Sequence, residues 1–272
     1  ARQNDERRTV SVKKICVYGK GGIGKSTTVT NVAAAMANMG LKVAVVGCDP
    51  KADTTRCLTG RRIPTVLDRL KTSTQASMAV VGYGGILCME SGGPEPGTGC
   101  AGRGIASALR EIQQQDLLAD QDVVIYDVLG DVVCGGFSMP LRENIAQDVY
   151  LVTTADFMAL YAANNICKGI ARYAQDGDVR LAGLIYNGRS GRDDAGMVET
   201  FAERIGTELT GSIPMSPEIS RAETRRKTAV ELFPDSPAAA EFRALAEKML
   251  RHGPGVVPVP MEEDALEELC RY

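Results

Sequence analysis

The sequence has no basic excess: 31 Lys and Arg stand against 34 Asp and Glu, a formal net charge of −3. A nucleic-acid groove or an anionic membrane surface favours the opposite balance, so neither is an expected partner. No apolar run approaches the ~20 residues of a membrane span. Residues 1–14 are polar and charged, without the apolar centre of a secretory signal. The expected compartment is therefore the cytoplasm. No Cys-x-x-Cys pair occurs among the eight cysteines, which argues against a zinc ribbon or a single-chain ferredoxin site. In an intracellular chain the cysteines are not a disulfide framework either; they are packing residues, metal ligands or a mixture. No repeat, low-complexity tract or long linker divides the 272 residues. One domain is expected over 14–272, behind a mobile extension at 1–13.

What is present is an alternation. Short, nearly continuous apolar runs at 15–18, 43–46, 86–89, 123–126, 149–152 and 181–186 have the character of parallel strands buried on both faces. Between them, 26–39, 105–114, 158–173 and 197–205 have helical period, and 238–251 and 262–269 add helices near the C-terminus. Repeated strand–helix alternation predicts an α/β fold, a doubly wound and mostly parallel sheet with helices on both faces.

The strongest local signal is Gly19-Lys20-Gly21-Gly22-Ile23-Gly24-Lys25-Ser26, which follows the first strand and opens the first helix. Phosphates need several backbone N–H groups close at once; glycines permit the approach and the helix N-terminus adds a favourable dipole. A strand, this pattern and a helix together predict a nucleoside triphosphate site. Its nucleotide-binding residues are Gly21, Gly22, Ile23, Gly24, Lys25, Ser26 and Thr27. Lys25 reaches the outer phosphates and the Ser26 hydroxyl ligates Mg²⁺.

Two acids stand at strand ends, where such a fold places its chemistry. Asp127 follows 123–126 and is assigned to Mg²⁺. Asp49, after 43–48, is assigned to orienting or activating the attacking water. A lone strand-end Asp is more often a cap or turn residue, and the phosphate loop is what reverses that expectation.

Cys100 and Cys134 differ from the other six cysteines because glycine surrounds both, in Gly97-Thr98-Gly99-Cys100-Ala101-Gly102 and Cys134-Gly135-Gly136. Close backbone N–H groups suit cluster sulfurs. Buried packing accounts for Cys16, Cys48 and Cys167; Cys88 is ambiguous, and Cys57 and Cys270 look incidental. A four-iron cluster needs four thiolates, so two per chain implies a symmetric dimer with the cluster on its axis. Cys134 stands seven residues after Asp127, a span of at most ~25 Å. One loop can therefore run from the Mg²⁺ site to a cluster ligand and act as a nucleotide switch.

With these motifs, Cys48-Asp49-Pro50-Lys51-Ala52-Asp53, Met139-Pro140-Leu141-Arg142-Glu143-Asn144 and Tyr161-Ala162-Ala163-Asn164-Asn165, the chain closely resembles the nitrogenase iron protein family over 14–272. Lys20 resembles the signature lysine of the deviant phosphate-loop ATPases, which in that family reaches the nucleotide of the facing subunit. The resemblance implies a homodimer with one bridging 4Fe-4S cluster and one MgATP per subunit. It also implies single-electron transfer to a separate catalytic component as ATP is hydrolysed, with ferredoxin or flavodoxin as the electron source. Residue by residue, Lys20, Lys25, Ser26, Asp49 and Asp127 match nucleotide and Mg²⁺ positions, and Asp131 matches the switch position. Cys100 and Cys134 match the ligands, while Asn187 and Glu223 match the adenine and nucleoside sides. Arg103 and Arg142 match docking positions, the former reversibly ADP-ribosylated in some members.

Two departures bear on the partner. Ile145 stands where nitrogen-fixing members usually carry lysine, and 59–81 is shorter by several residues. Both point to a nitrogenase-like system acting on a tetrapyrrole, a nickel porphinoid or a methylthio-alkane, with nitrogenase itself as the alternative. From another class, a cluster-free partitioning or division-site ATPase shares the phosphate loop and Lys20 but leaves Cys100 and Cys134 unexplained. A metal-insertion chaperone of related fold is a third reading.

Overall fold

The computed structural model describes residues 12–72, 77–93, 101–130, 139–143, 145–188 and 195–271. Within them the chain forms β1 (Lys13–Tyr18), α1 (Lys25–Asn38), β2 (Val43–Cys48), and the short helices α2 (Arg56–Thr59) and α3 (Val66–Thr72). A two-residue β3 (Val80–Val81) precedes β4 (Leu87–Glu90), α4 (Ala101–Gln114), β5 (Val123–Val128) and α5 (Met139–Arg142). Next come β6 (Asp148–Thr153), α6 (Phe157–Tyr173), β7 (Arg180–Asn187), α7 (Ala195–Arg204) and β8 (Leu209–Ile213). Four helices finish the chain: α8 (Pro217–Thr224), α9 (Ala229–Leu232), α10 (Pro237–Arg251) and α11 (Glu263–Leu269).

The eight strands make one sheet in the order β3-β4-β2-β5-β1-β6-β7-β8. All neighbours are parallel except the β3–β4 edge pair. The doubly wound expectation holds. Successive strands step away from β1 on one side through β2 to β3 at the edge, come back through β4 and β5, and continue beyond β1 at β6. The crevice at the C-terminal ends of strands around such a reversal is where ligands bind in open α/β sheets.

Two-sided burial is visible strand by strand. In β1, Ile15 and Val17 face one apolar cluster while Cys16 and Tyr18 face the other. In β5, Val123 and Ile125 oppose Val124, Tyr126 and Val128 in the same way. Period-2 side chains with both faces covered explain why these segments read as continuous apolar runs. Helices α1 and α10 cover the face of Ile15, and α4, α6, α7 and α11 cover the other. α4 buries Ile105, Ala108, Leu109 and Ile112, the i, i+3, i+4, i+7 stripe of an amphipathic helix. Asp156 caps α6 by accepting from the Ala159 N–H at 3.0 Å, and Ser236 caps α10 through the Ala239 N–H at 3.2 Å. No described helix is long and apolar enough to cross a membrane.

Two expectations change. β8 was not legible as a strand, because Thr210, Gly211 and Ser212 interrupt its apolar pattern. Ile145 is no docking residue: it is 2% exposed and packs in the same core cluster as Met139, Leu141 and Ala146. Its N–H donates to the Pro140 carbonyl at 3.1 Å, folding the chain back behind α5. Ile145→Lys is expected to cost roughly 3–5 kcal/mol in anaerobic denaturant unfolding, against about 1 kcal/mol for Ile145→Val. A parent-like midpoint for the lysine variant would place the side chain outside the core.

Candidate functional site

The phosphate loop leaves β1 at the centre of the sheet and ends where α1 begins. Gly24, at the cap of α1, has φ +94°, a left-handed conformation that favours glycine. A Cβ there would lie 2.2 Å from Asn187 Nδ2. Asn187, the last residue of β7, donates that amide to the Ile23 carbonyl at 2.6 Å and so pins the loop from the side. α1 has no side-chain cap and no acid in its first turn. Its first N–H groups and its dipole are therefore left for an anion.

Asp127 lies beneath the loop with 0% exposure. It is inside β5, not just beyond it, and its carboxylate collects donors from three directions. Lys25 Nζ ion-pairs with Oδ1, Ser26 Oγ donates to Oδ2 at 2.6 Å, and Thr54 Oγ1 donates to Oδ2 at 2.7 Å. A buried carboxylate so supplied is compensated, and its removal alone would strand the lysine. The same two residues, Ser26 and Asp127, present the hard oxygens that Mg²⁺ prefers. Three residues on, a Cβ at Gly130 would sit 2.4 Å from the Gly19 carbonyl oxygen. The segment that leads from Asp127 towards Asp131 thus lies directly against the phosphate loop.

A cavity of about 510 Å³ opens above. Lys20, Gly21, Gly22, Gly24, Lys25, Ser26, Thr27, Asp49, Asn187 and Glu223 all line it, so ten of the predicted residues meet at one site. Ile23 is buried beneath and contributes its carbonyl to Asn187. One end of the cavity is polar and cationic; the other adds Pro214, Met215, Ile219 and Phe242, an apolar wall suited to a base. Thr27 Oγ1 donates to Glu223 Oε1 across the cavity. Asp49 accepts the Lys51 N–H at 2.8 Å, in a turn where Ala52 has φ +51°. Lys20 has a side chain 40% exposed and only a 4.0 Å contact to Asp156, a pairing worth little. It borders both this cavity and a second hollow against α6.

Arg103 is exposed in the first turn of α4, and Arg142 ends α5. Cys100, Asp131 and Cys134 lie outside the described residues. Of the other six cysteines, Cys16, Cys48, Cys88 and Cys167 are buried in the core, and Cys57 and Cys270 are half-buried. Burial pushes the thiols of Cys88 and Cys167 up to about 12 and that of Cys57 to about 11, and raises Cys16 and Cys48 as well. Such thiols resist becoming thiolate ligands. Among the described residues no three His, Cys, Asp or Glu side chains converge as a metal site.

Sequence reasoning missed Thr54, Thr55 and Glu90. Glu90 ends β4 with 1% exposure, and its Oε1 accepts from Thr55 N at 2.6 Å and Thr55 Oγ1 at 2.7 Å. Burial pushes its carboxyl up to about 7 against the lowering effect of the Thr55 bonds, with Asp127 and Asp53 adding to the rise. An acid directly after the apolar run 86–89 was the available signal.

The protonation of Glu90 gives stability a pH slope. Its folded value near 7 lies above the ordinary 4.5, so folding takes up a proton between these values. The cost is absent below about pH 4.5 and complete above about pH 7, amounting to roughly 3 kcal/mol. Glu90→Gln lacks this cost. Its unfolding free energy relative to the parent is expected to rise from about pH 5 to about pH 8 in anaerobic urea titrations. A flat difference would contradict the burial of an ionisable carboxyl.

Comparison with known proteins gives the family and the fold. The family model of 4Fe-4S iron sulfur cluster binding proteins, NifH/frxC family, matches residues 13–272. The nitrogenase iron protein of Methanococcus voltae is 51% identical over 266 residues, 95% of each chain. Nitrogenase iron protein 2 of Methanothermobacter thermautotrophicus is 50% identical over 264 residues, 96% of this chain and 98% of its own. Among solved structures, the cell division ATPase MinD of Pyrococcus furiosus superposes with a TM-score of 0.70 at 20% identity, covering 88% of this chain and 98% of its own. Cobyrinic acid a,c-diamide synthase of Mycobacterium smegmatis, solved with an ATP analog and magnesium, gives 0.66 at 21%, covering 89% and 95%. These two share the fold. The full-length family match and the half-identical relatives establish more: the chain belongs to the NifH/frxC family of 4Fe-4S cluster-binding proteins.

Proposed function

We propose that the protein is the ATP-hydrolysing electron-donor component of a nitrogenase-type two-component reductase, acting as a homodimer. The observation that carries this reading is the position of Asp127. It is held by the phosphate loop through Lys25 and Ser26, and it stands seven residues before Cys134. One stretch of chain thereby belongs to both the nucleotide site and the cluster loop.

When bound, the 4Fe-4S cluster supplies a one-electron centre and MgATP supplies the hydrolysable anhydride. The chain's own residues do the rest. Lys25 and the open N–H groups of α1 hold the outer phosphates, and Ser26 and Asp127 offer oxygens to Mg²⁺. Asp49 orients a water, and Lys20 extends towards the nucleotide of the facing subunit. Asn187 and Glu223 fix the nucleoside end. Lys25 and Ser26 already bond to Asp127, so a ligand that draws on them also loads the segment behind it. Gly130 then carries that load past the phosphate loop to Asp131. Cys100 and Cys134 of two chains would supply the four thiolates that such a cluster needs. Arg103, exposed and three residues after Cys100 in sequence, and Arg142 meet the catalytic component, with ferredoxin or flavodoxin as the electron source.

On partner type, Ile145 drops out as a discriminator because it is core. The shortened 59–81 stretch, which carries α3 and the β3 edge, is the feature that still favours a nitrogenase-like partner. Relatives named nitrogenase iron proteins favour the nitrogenase side.

Anaerobically purified protein is expected to hold about four irons per two chains. Cys100→Ser or Cys134→Ser should abolish the visible iron–sulfur absorption, and Cys167→Ser should retain it. Four irons on each single chain would rule out the bridging arrangement, and iron-free protein with ATPase activity would favour the division-site type of switch.

A further inference from the structure

Asp127 is not the only buried acid bonded to the segments around the nucleotide end. In the sheet register Gly47 on β2 lies opposite Asp127 on β5 and Glu90 on β4. Two positions earlier Val45, Ile125 and Cys88 share the cluster on the α1 face, so this row faces the same side. Gly47 leaves the row open in the middle. A Cβ there would lie 2.0 Å from Glu90 Oε2 and 2.9 Å from Thr54 Cβ. The Glu90 carboxyl therefore reaches across β2 towards the Asp127 side.

Adjacent threonines span the two acids. Thr54 Oγ1 donates to Asp127 Oδ2 at 2.7 Å, while Thr55 gives both its N–H and its hydroxyl to Glu90 Oε1. These threonines close the 49–55 segment, whose Asp49, Lys51 and Asp53 line the nucleotide cavity. Beyond Glu90 the backbone stays on the same segment. Ser91 N and Oγ both donate to the Gly47 carbonyl, at 2.8 and 2.9 Å. A Cβ at Gly93 would stand 2.6 Å from Pro50 Cβ. In sequence, Gly93 is seven residues from Cys100.

Glu90 Oε2 has no hydrogen-bond partner among the described residues. A carboxyl with one oxygen bonded and the other buried bare is a poor way to gain stability. Its location gives it a different use. We propose that Glu90 is a positioning residue that ties the 49–55 segment of the nucleotide site to the backbone leading into the Cys100 loop. This gives the nucleotide a second path to the cluster beside the one from Asp127 to Cys134. The inference rests on the electron-donor reading above, and a helix-start role at α2 is the plain alternative.

Hydrogen–deuterium exchange by mass spectrometry on the anaerobic, cluster-loaded protein separates the two, with and without MgATP. In the parent, MgATP is expected to change exchange at 49–59 and at 91–104 together. In Glu90→Ala the change at 91–104 should fall by about 5-fold while that at 49–59 persists, with MgATP affinity within about 3-fold of the parent. Glu90→Gln keeps an acceptor oxygen for Thr55 and should retain more of the 91–104 change than Glu90→Ala does. If Glu90→Ala does not fold, Thr55→Val, which removes only the hydroxyl bond, should reduce the 91–104 change by about 2-fold. Parent-like coupling in Glu90→Ala or, in its place, Thr55→Val would overturn the proposal, as would equal losses in Glu90→Gln and Glu90→Ala. A parent that binds cluster and MgATP but shows no response at 91–104 would sink this inference alone. A parent without a cluster would sink the electron-donor reading instead.

Discussion

Asp127 carries a carboxylate at a position with no exposed surface, and a charge so placed must be met by donors from other elements. Lys25 and Ser26 come from the start of α1, and Thr54 comes from the loop after β2. The phosphate loop, the central strand and the 49–55 segment are thereby tied to one side chain. In the proposed function, the groups that neutralise the aspartate are also those that phosphates and Mg²⁺ would call on. A ligand at the cavity would then compete with the bonds that hold the site together, so its arrival would be a mechanical event as well as a binding one.

Missing side chains make this proximity possible. Gly24 gives way to Asn187, Gly130 to the Gly19 carbonyl and Gly47 to Glu90. In each case the contact that a Cβ would block joins two segments of the nucleotide end. Rigid strands set the distances, and close backbone approach transmits small displacements because packed contacts have little slack.

The sequence was most informative where chemistry and local structure coincide. The glycine-rich loop, the apolar runs before it and after it, and the strand-end acids Asp49 and Asp127 all announce themselves within a few residues. Asn187 and Glu223 were found through family resemblance, and the cavity unites them with the loop. What was not legible depends on neighbours distant in sequence. Ile145, set among polar residues, reads as surface until the turn onto Pro140 carries it into the core. β8 hides because Gly211 faces Leu245 of α10, where a Cβ would be 2.9 Å away, so a strand position is filled by a residue with poor strand preference. Glu90 reads as one more acid, because the space it occupies is created by a glycine on the adjacent strand.

In the proposed function, a nucleotide gathered by Lys25, Ser26 and Asp127 alters the surroundings of an iron–sulfur cluster held by Cys100 and Cys134. The most direct measurement is the electron paramagnetic resonance spectrum of the anaerobically reduced parent protein, recorded with MgATP and with magnesium alone. The account predicts a reduced 4Fe-4S signal whose line shape changes when MgATP is added. A protein with no such signal, or one whose signal is identical in both samples at saturating nucleotide, would contradict it.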